Sequence, residues 1–248
     1  MKTVKRDDII QFLNEYLDIQ SFDDFTPKGL HVEGCEDVQK IITGVSANAE
    51  LIEAAVKWEA DMIIVHHGLF WDKESRVVKG VLKGRLNPLL RNDISLLAYH
   101  LPLDAHPKIG NNAAAAQLLG MIHWQAFGGI GLQGRIHPVT VNDFVQLLKK
   151  IYHSEPLSFA YGPDMIERIA VCSGGAQKLI YDALESKVDA FVTGEVSEPI
   201  MHLAKEGKLS FFSVGHHASE RLGIQRLGDM LEKKYDIKVK FIDIDNPV

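Results

Sequence analysis

Short apolar runs alternate along the chain with segments in which apolar residues recur every three or four positions. The apolar runs predict buried strands, and the helical spacing predicts amphipathic helices between them. Strands are predicted at 38–45, 62–65, 94–99, 168–172, 189–193, 209–214 and 239–243. Helices are predicted at 7–17, 86–90, 112–119, 141–151, 176–185, 197–206 and 218–233, with one more that Asn48 caps.

Polar and glycine-containing segments separate these elements. Asn111 or Asn112 is expected to cap the helix near 112, because a short polar side chain can accept from the first backbone N–H groups of a helix. The glycine-rich segment 127–134 predicts turns between strands. It lacks the lysine-containing pattern of a phosphate-binding loop, which argues against a nucleotide site of that kind.

The two halves of the chain resemble each other at two offsets. An offset of 128 residues places Ile41–Gly68 over Ile169–Val196 without a gap. An offset of 116 residues places Leu96–Asp104 over Phe212–Glu220, so that the acidic residues at the ends of these two ranges coincide. Identical residues are few, but polar residues recur at the strand ends, which favours an internal duplication.

The alternation of strands and helices is typical of an α/β fold. We predict two similar lobes, 1–125 and 126–248, each a largely parallel sheet flanked by helices. Ligands bind in such sheets outside the carboxyl ends of the strands. Two lobes that face each other would bring both sets of strand ends to one cleft.

Polar side chains follow three of the predicted strands, at the point where each strand ends. We therefore expect these side chains to form one site with residues from both lobes. If a helix begins near His216, Glu220 lies one turn further along on the same face. The candidate residues are His66 and His67 after the first of these strands, Asp104 and His106 after the second, and His216, His217 and Glu220 after the third.

Imidazoles and carboxylates in this arrangement suit Zn, Mn, Fe or Ni better than Mg or Ca. If Glu220 bridged two such ions, each ion would have three protein ligands and open positions for water. The spacing alone leaves a purely structural role for these side chains equally open. The neighbouring residues His100, His106, His217 and Glu195 are expected to support ligands or loops by hydrogen bonds rather than to bind metal.

Composition narrows the classes of function. The chain has 248 residues and a net charge of -6, and no basic run is interleaved with aromatic residues, so binding to nucleic acid is disfavoured. No apolar stretch reaches the length of a membrane span, and the N-terminus lacks the apolar segment of a signal peptide. Cys35 and Cys172 are far apart and are interpreted as structural, which fits a reducing cytoplasm.

Four motifs in this order resemble the Nif-three-like family, whose members are commonly labelled GTP cyclohydrolase 1 type 2 homologues. The resemblance extends from near Pro27 to Asp243 and is closest to the short bacterial form. The motifs are Val65-His66-His67-Gly68, Leu101-Pro102-Leu103-Asp104-Ala105-His106-Pro107 followed by Gly110-Asn111-Asn112, Thr193-Gly194-Glu195, and Gly215-His216-His217-Ala218-Ser219-Glu220.

The resemblance implies a dinuclear metal site in the cleft of a two-lobed subunit, and a ring-shaped homohexamer. It also implies a set of ligands, in which Glu220 bridges the two divalent cations. His67 and Asp104 would complete one ion, and His66 and His216 would complete the other. Every ligand position of the family pattern is present in this sequence.

The resulting hypothesis is a metal-dependent hydrolase that acts on a small molecule such as the nucleotide GTP. A metal-activated water would attack C8 of the purine, and the ring would open with loss of formate. Glu220 would hold the metals, while His106 or His217 would transfer protons. The alternative is a non-enzymatic metal-binding ring scaffold, metal carrier or regulatory interaction protein. Action on DNA is a third hypothesis, which the acidic balance disfavours.

Overall fold

The computed structural model describes residues 2–73, 75 and 77–248. These residues form two compact units, each assembled from two segments of the chain. The first unit comprises the residues up to Leu103 and Ile224–Asp245, and the second comprises Asp104–Gly223 and Asn246–Val248.

The unit boundaries differ from the predicted division after residue 125. Residues 104–125 lie in the second unit, and residues 224–245 lie in the first. The reason for the second difference is strand pairing, because Lys238–Phe241 pairs in parallel with Lys40–Thr43. The linear order of apolar runs does not show such long-range pairing, so the sequence places the last strand with its nearest neighbours in the chain.

The elements within the described residues are these. The helices are α1 (Arg6–Tyr16), α2 (Ala49–Trp58), α3 (Gly80–Arg91), α4 (Leu101–Ala105), α5 (Asn111–Leu118), α6 (Val141–Tyr152), α7 (Ile180–Glu185), α8 (Ile200–Gly207) and α9 (His216–Tyr235). The strands are β1 (Val4–Lys5), β2 (Gly29–Val32), β3 (Asp37–Val38), β4 (Lys40–Ser46), β5 (Met62–His67), β6 (Ser95–Ala98), β7 (Ile122–Phe127), β8 (Gly131–Thr140), β9 (Leu157–Ala160), β10 (Met165–Cys172), β11 (Ala190–Thr193), β12 (Ser210–Ser213) and β13 (Lys238–Phe241). Over the described part of the chain, no helix combines the length and the apolar character needed to cross a bilayer.

The main sheet of the first unit has the strand order β13-β4-β5-β6-β2. All neighbours in it are parallel except β2, which pairs antiparallel with β6 at the edge. Ile63 and Val65 of β5 pack into a buried cluster with Leu51 of α2 and Leu89 of α3. The Asn48 side chain accepts from the backbone N–H of Leu51 at 2.8 Å, which confirms the predicted cap of α2.

The sheet of the second unit has the order β7-β8-β10-β11-β12-β9. Only the neighbouring pairs β10–β11 and β11–β12 are parallel in this sheet, so the prediction of a largely parallel sheet holds for the first unit and is wrong for this one. Both faces are covered, because Phe211 packs with one apolar cluster and Phe212 with another. Adjacent residues of a strand point to opposite faces, so two neighbouring phenylalanines reach two cores.

The antiparallel strands are the elements that the sequence pattern missed. The segment that forms β7 is almost entirely exposed and that of β8 contains Gly131, Gly134 and Pro138, so neither shows the apolar run of a buried strand. The predicted glycine turn is confirmed, because residues 128–130 connect these two strands as a hairpin.

A carboxylate at the start of the middle strand appears in both units at equivalent positions. Asp61 Oδ2 accepts from the backbone N–H groups of Gln39 and Lys40, both at 2.8 Å. Asp189 Oδ2 accepts from Glu167 and Arg168 at 3.1 and 2.7 Å, and its offset from Asp61 is again 128. We call this arrangement the aspartate clamp.

A glycine–serine contact repeats in the same way. The Gly34 N–H donates to Ser95 Oγ and the Gly162 N–H donates to Ser210 Oγ, each at 3.1 Å. An added Cβ would lie 2.4 Å from backbone atoms at Gly34 and 2.7 Å from the Asp189 carbonyl oxygen at Gly162, so both positions require glycine. These polar contacts support the predicted duplication better than apolar spacing does.

The strand pairings correct the second offset. Ile63 pairs with Leu96 in the first unit, and Phe191 pairs with Phe211 in the second. Leu96 therefore corresponds to Phe211 rather than to Phe212, at an offset of 115 rather than 116. The offset of 116, which aligns Asp104 with Glu220, would require one additional residue in the second half between the end of the strand and Glu220.

Asp189→Asn should lower the free energy of unfolding by about 1.5–3 kcal/mol, the usual contribution of hydrogen bonds to a charged group. The amide retains one acceptor oxygen but loses the charge that attracts two backbone N–H groups. Urea unfolding followed by circular dichroism measures the change. Asp229→Asn, an exposed change on α9, is the control. An equal effect in both variants would contradict the role of the clamp.

Candidate functional site

Three histidines lie together in the first unit. His66 and His67 end β5, and His100 follows β6, the parallel neighbour of β5. Their nearest ligating nitrogen atoms all lie within 4.8 Å of one another. His66 is fully buried and His100 nearly so, whereas His67 is half-buried. The predicted pair of adjacent histidines therefore forms one group with a third.

Hydrogen bonds orient these imidazoles. His66 Nδ1 donates to the Tyr99 carbonyl oxygen at 3.0 Å, so the neutral ring carries its lone pair on Nε2. His67 Nδ1 lies 3.1 Å from Ser46 Oγ at the end of β4. A second ring nitrogen held in this way is typical of histidines that bind metals.

His100 contacts a carboxylate that the sequence pattern did not indicate. Its Nδ1 lies 2.9 Å from Asp24 Oδ1, and Asp24 Oδ2 accepts from the Leu101 N–H at 3.0 Å. The Asp24 side chain is completely buried. The predicted hydrogen-bonding role of His100 is confirmed, although the residue also belongs to the group of possible donors.

Aromatic rings border the histidine group. The Trp71 ring centroid lies 5.7 Å from that of His67 and 5.4 Å from that of His100. Phe25, of which 52% is exposed, packs edge-on against His100 at 5.1 Å. Trp71 is therefore part of the border of the histidine group.

In the second unit, His216 and Glu220 lie one turn apart at the start of α9. His216 Nε2 lies 3.0 Å from Glu220 Oε1, which confirms the predicted shared helix face. His216 Nδ1 lies 2.6 Å from Glu195 Oε1, and Gln177 Nε2 donates to Glu195 Oε2 at 3.2 Å. The predicted supporting hydrogen bond of Glu195 is thus confirmed.

These carboxylates change the protonation of His216. Burial of the imidazole lowers its pKa, but hydrogen bonds and charge from Glu220, and then from Glu195, outweigh this effect and raise the pKa of His216 to about 9. The ring is therefore protonated at neutral pH in the metal-free protein. A metal ion bound by Nε2 would have to displace that proton.

Asp104 is buried in the second unit, with 3% of its surface exposed. Its Oδ1 accepts from Ser173 Oγ at 2.6 Å and from Asn111 Nδ2 at 2.9 Å. The prediction that Asn111 or Asn112 caps α5 is wrong, because Gly110 occupies the cap position without a side-chain hydrogen bond. Both amides instead serve buried partners around Asp104.

The two histidines predicted to transfer protons, His106 and His217, are each 8% exposed. His106 Nδ1 accepts from the backbone N–H groups of Lys108 and Ile109, both at 3.2 Å. The neutral His106 ring therefore carries its proton on Nε2. The His217 backbone N–H donates to the Val248 carbonyl oxygen at 2.9 Å.

The family model Duf34/NIF3 (NGG1p interacting factor 3) matches residues 4–247. The chain belongs to the Duf34/NIF3 family. A relative from Haemophilus influenzae, named GTP cyclohydrolase 1 type 2 homolog, is 45% identical over 243 residues, which cover 96% of this chain and 97% of the relative. The Nif-three-like resemblance of the motifs is therefore confirmed.

Two solved structures share the fold of this Duf34/NIF3 chain over nearly its whole length. One, described as protein ybgI of unknown function, is 44% identical with a TM-score of 0.95 and covers 99% of this chain and 100% of its own. The other, TTHA1606 from Thermus thermophilus, is 32% identical with a TM-score of 0.93 and the same coverage.

The two cysteines should differ in reactivity. Burial, with the nearby charges of Asp104 and Glu220, raises the pKa of Cys172 far above its ordinary value. Cys35 is only half-buried, although burial also raises its pKa. A native titration with a thiol reagent at pH 8 should modify no more than Cys35, whereas protein in urea should react at both. Mass spectrometry that finds Cys172 labelled first would contradict this prediction.

Proposed function

We propose that this chain is a metal-dependent hydrolase that holds two divalent cations. The observation that supports the proposal most directly is the concentration of donors in each unit. The first has three imidazoles with ligating atoms within 4.8 Å, and the second has an imidazole and a carboxylate 3.0 Å apart at the start of α9. The proposed ligands are His66, His67, Asp104, His216 and Glu220.

The donor set fits such ions chemically. Neutral imidazole nitrogen and carboxylate oxygen suit Zn, Mn, Fe or Ni, and the Nδ1–H of His66 is already directed to a carbonyl. Following the family resemblance, we assign Glu220 as the bridge, His67 and Asp104 to one ion, and His66 and His216 to the other. From the same resemblance, we also propose that the protein forms a toroidal homohexamer and is located in the cytoplasm.

The name of the curated relatives suggests the reaction, opening of a purine-type ring such as that of GTP. Two successive hydrolyses would consume two waters, break the bonds from C8 to N7 and N9, and release formate. When bound, two divalent cations supply a water of lowered pKa and polarise the carbon that it attacks. His106, with its proton on Nε2, is suited to donate to the leaving nitrogen, and His217 is the second candidate.

Glu220→Ala should abolish this activity. Protein reconstituted separately with Mn, Zn, Fe and Ni is assayed for formate release from GTP, with Glu206→Ala, an exposed change on α8, as the control. We expect a loss of at least about 100-fold in Glu220→Ala, since residues that only support ligands already cost 10–100-fold. Unchanged turnover in that variant would refute the proposed mechanism.

Metal binding can be tested without turnover. A cation at 100 times its dissociation constant should raise the free energy of unfolding by about 2.7 kcal/mol per site, and Glu220→Ala should remove most of this gain. Thermal unfolding with and without metal, together with metal content per chain, measures it. Two metals per chain with no turnover on a panel of nucleotides would favour the metal carrier or scaffold over the hydrolase.

A further inference from the structure

The Asp104 carboxylate is held by two donors on the same oxygen. Ser173 Oγ approaches Oδ1 at 2.6 Å and Asn111 Nδ2 approaches it at 2.9 Å. Two donors on one oxygen restrict rotation of the carboxylate about its Cβ–Cγ bond, and they fix the direction in which its other oxygen points. Asn111 is fully buried, so its contact with Asp104 is shielded from competing water.

The orientation of the Asn111 amide is itself fixed. Asn111 Oδ1 accepts from the backbone N–H of Gly223 at 2.7 Å, which requires the amide nitrogen to face Asp104. A Cβ on Gly223 would lie 2.8 Å from Asn111 Oδ1, so only glycine leaves room for this amide. Gly223 belongs to α9, the helix that begins at His216 and carries Glu220 one turn later. Asn111 therefore connects Asp104 to the helix that carries two other proposed ligands.

The turn after β10 supports both carboxylates. The Ser173 N–H donates to Asn112 Oδ1 at 2.8 Å, and the Gly174 N–H donates to Ser219 Oγ at 2.9 Å. A Cβ on Gly174 would lie only 2.4 Å from Glu220 Oε1. This turn thus places the Ser173 hydroxyl against Asp104 and the Gly174 backbone, which has no side chain, against Glu220.

We propose that Ser173 and Asn111 are positioning residues that fix the Asp104 carboxylate on Oδ1, so that it binds a metal ion through Oδ2. This inference rests on the proposed metal site. It assigns neither residue to the metal itself, because both act through Asp104. A role limited to folding would affect stability alone, whereas a positioning role must change the metal that Asp104 binds.

The test replaces the Ser173 hydroxyl. Ser173→Ala removes one donor to Asp104, and Ser173→Thr retains it. Ser154→Ala is the matched control, because Ser154 Oγ lies in the same unit and donates at 2.6 Å to the Val214 carbonyl oxygen rather than to a carboxylate. Each protein is titrated with Co²⁺ in competition with a chelator, and the visible absorption bands of bound Co²⁺ are recorded.

We expect Ser173→Ala to bind one of its two Co²⁺ ions about 10- to 100-fold more weakly, with altered absorption bands for that ion. Ser173→Thr should restore both properties, and Ser154→Ala should change neither. Asn111→Ala should weaken the same ion, which provides a second test if Ser173→Ala proves unstable. Thermal unfolding of the metal-free variants separates a loss of folding from a loss of positioning.

The outcomes separate the two proposals. Two Co²⁺ ions bound by wild-type protein, with unchanged affinity and bands in Ser173→Ala, would overturn this inference and leave the proposed metal site intact. Equal weakening in Ser173→Ala and Ser154→Ala would overturn it as well, since both would then act through general stability. Wild-type protein that binds no divalent cation would refute the proposed function and, with it, this inference.

Discussion

The aspartate clamp is the constraint on which the donor groups of each unit depend. Asp61 precedes β5 and Asp189 precedes β11, and each accepts hydrogen bonds from two consecutive backbone N–H groups of the segment that forms the neighbouring parallel strand, β4 or β10. These hydrogen bonds fix the register between the two strands of each parallel pair. A slip of one residue would exchange the faces to which side chains point. His66 would then leave its buried position against the Tyr99 carbonyl, and the histidine group at the strand ends would separate. The aspartate at the start of a strand thus helps to fix the position of the donor side chains at the end of that strand.

The two units use this shared frame differently. In the first, the strand ends present imidazoles, of which His66 and His67 are oriented by neutral partners and His100 by the Asp24 carboxylate. In the second, the position that corresponds to His67 is Glu195, which contacts His216 at the start of a long helix. Two residues separate strand from helix in both halves, so α9 begins with His216 where α4 begins with Leu101. A duplication followed by local changes of this kind accounts for two units that share a strand arrangement but carry different donor side chains.

The sequence predicted the parts of this arrangement that depend on local pattern. The buried strands that precede His66 and His216 are apolar runs, and the one-turn spacing of His216 and Glu220 follows from helix geometry. The exposed strand β7 and its partner β8 have no apolar run, so their pairing was not visible. Asn111 looked like a helix cap because capping and buried hydrogen bonding use the same amide, and only the fold decides between them.

Burial of acidic groups gives the strongest physical reason to expect cations in the second unit. Asp104 and Glu220 are 3% and 2% exposed, and Glu195 is a third carboxylate close to His216. Buried charge is costly unless it is compensated, and the hydrogen bonds from Ser173 and Asn111 reduce that cost without neutralising it. The divalent cations of the proposed function would add positive charge next to Asp104, so its neutral donors and the proposed metals would act on the same carboxylate for complementary reasons.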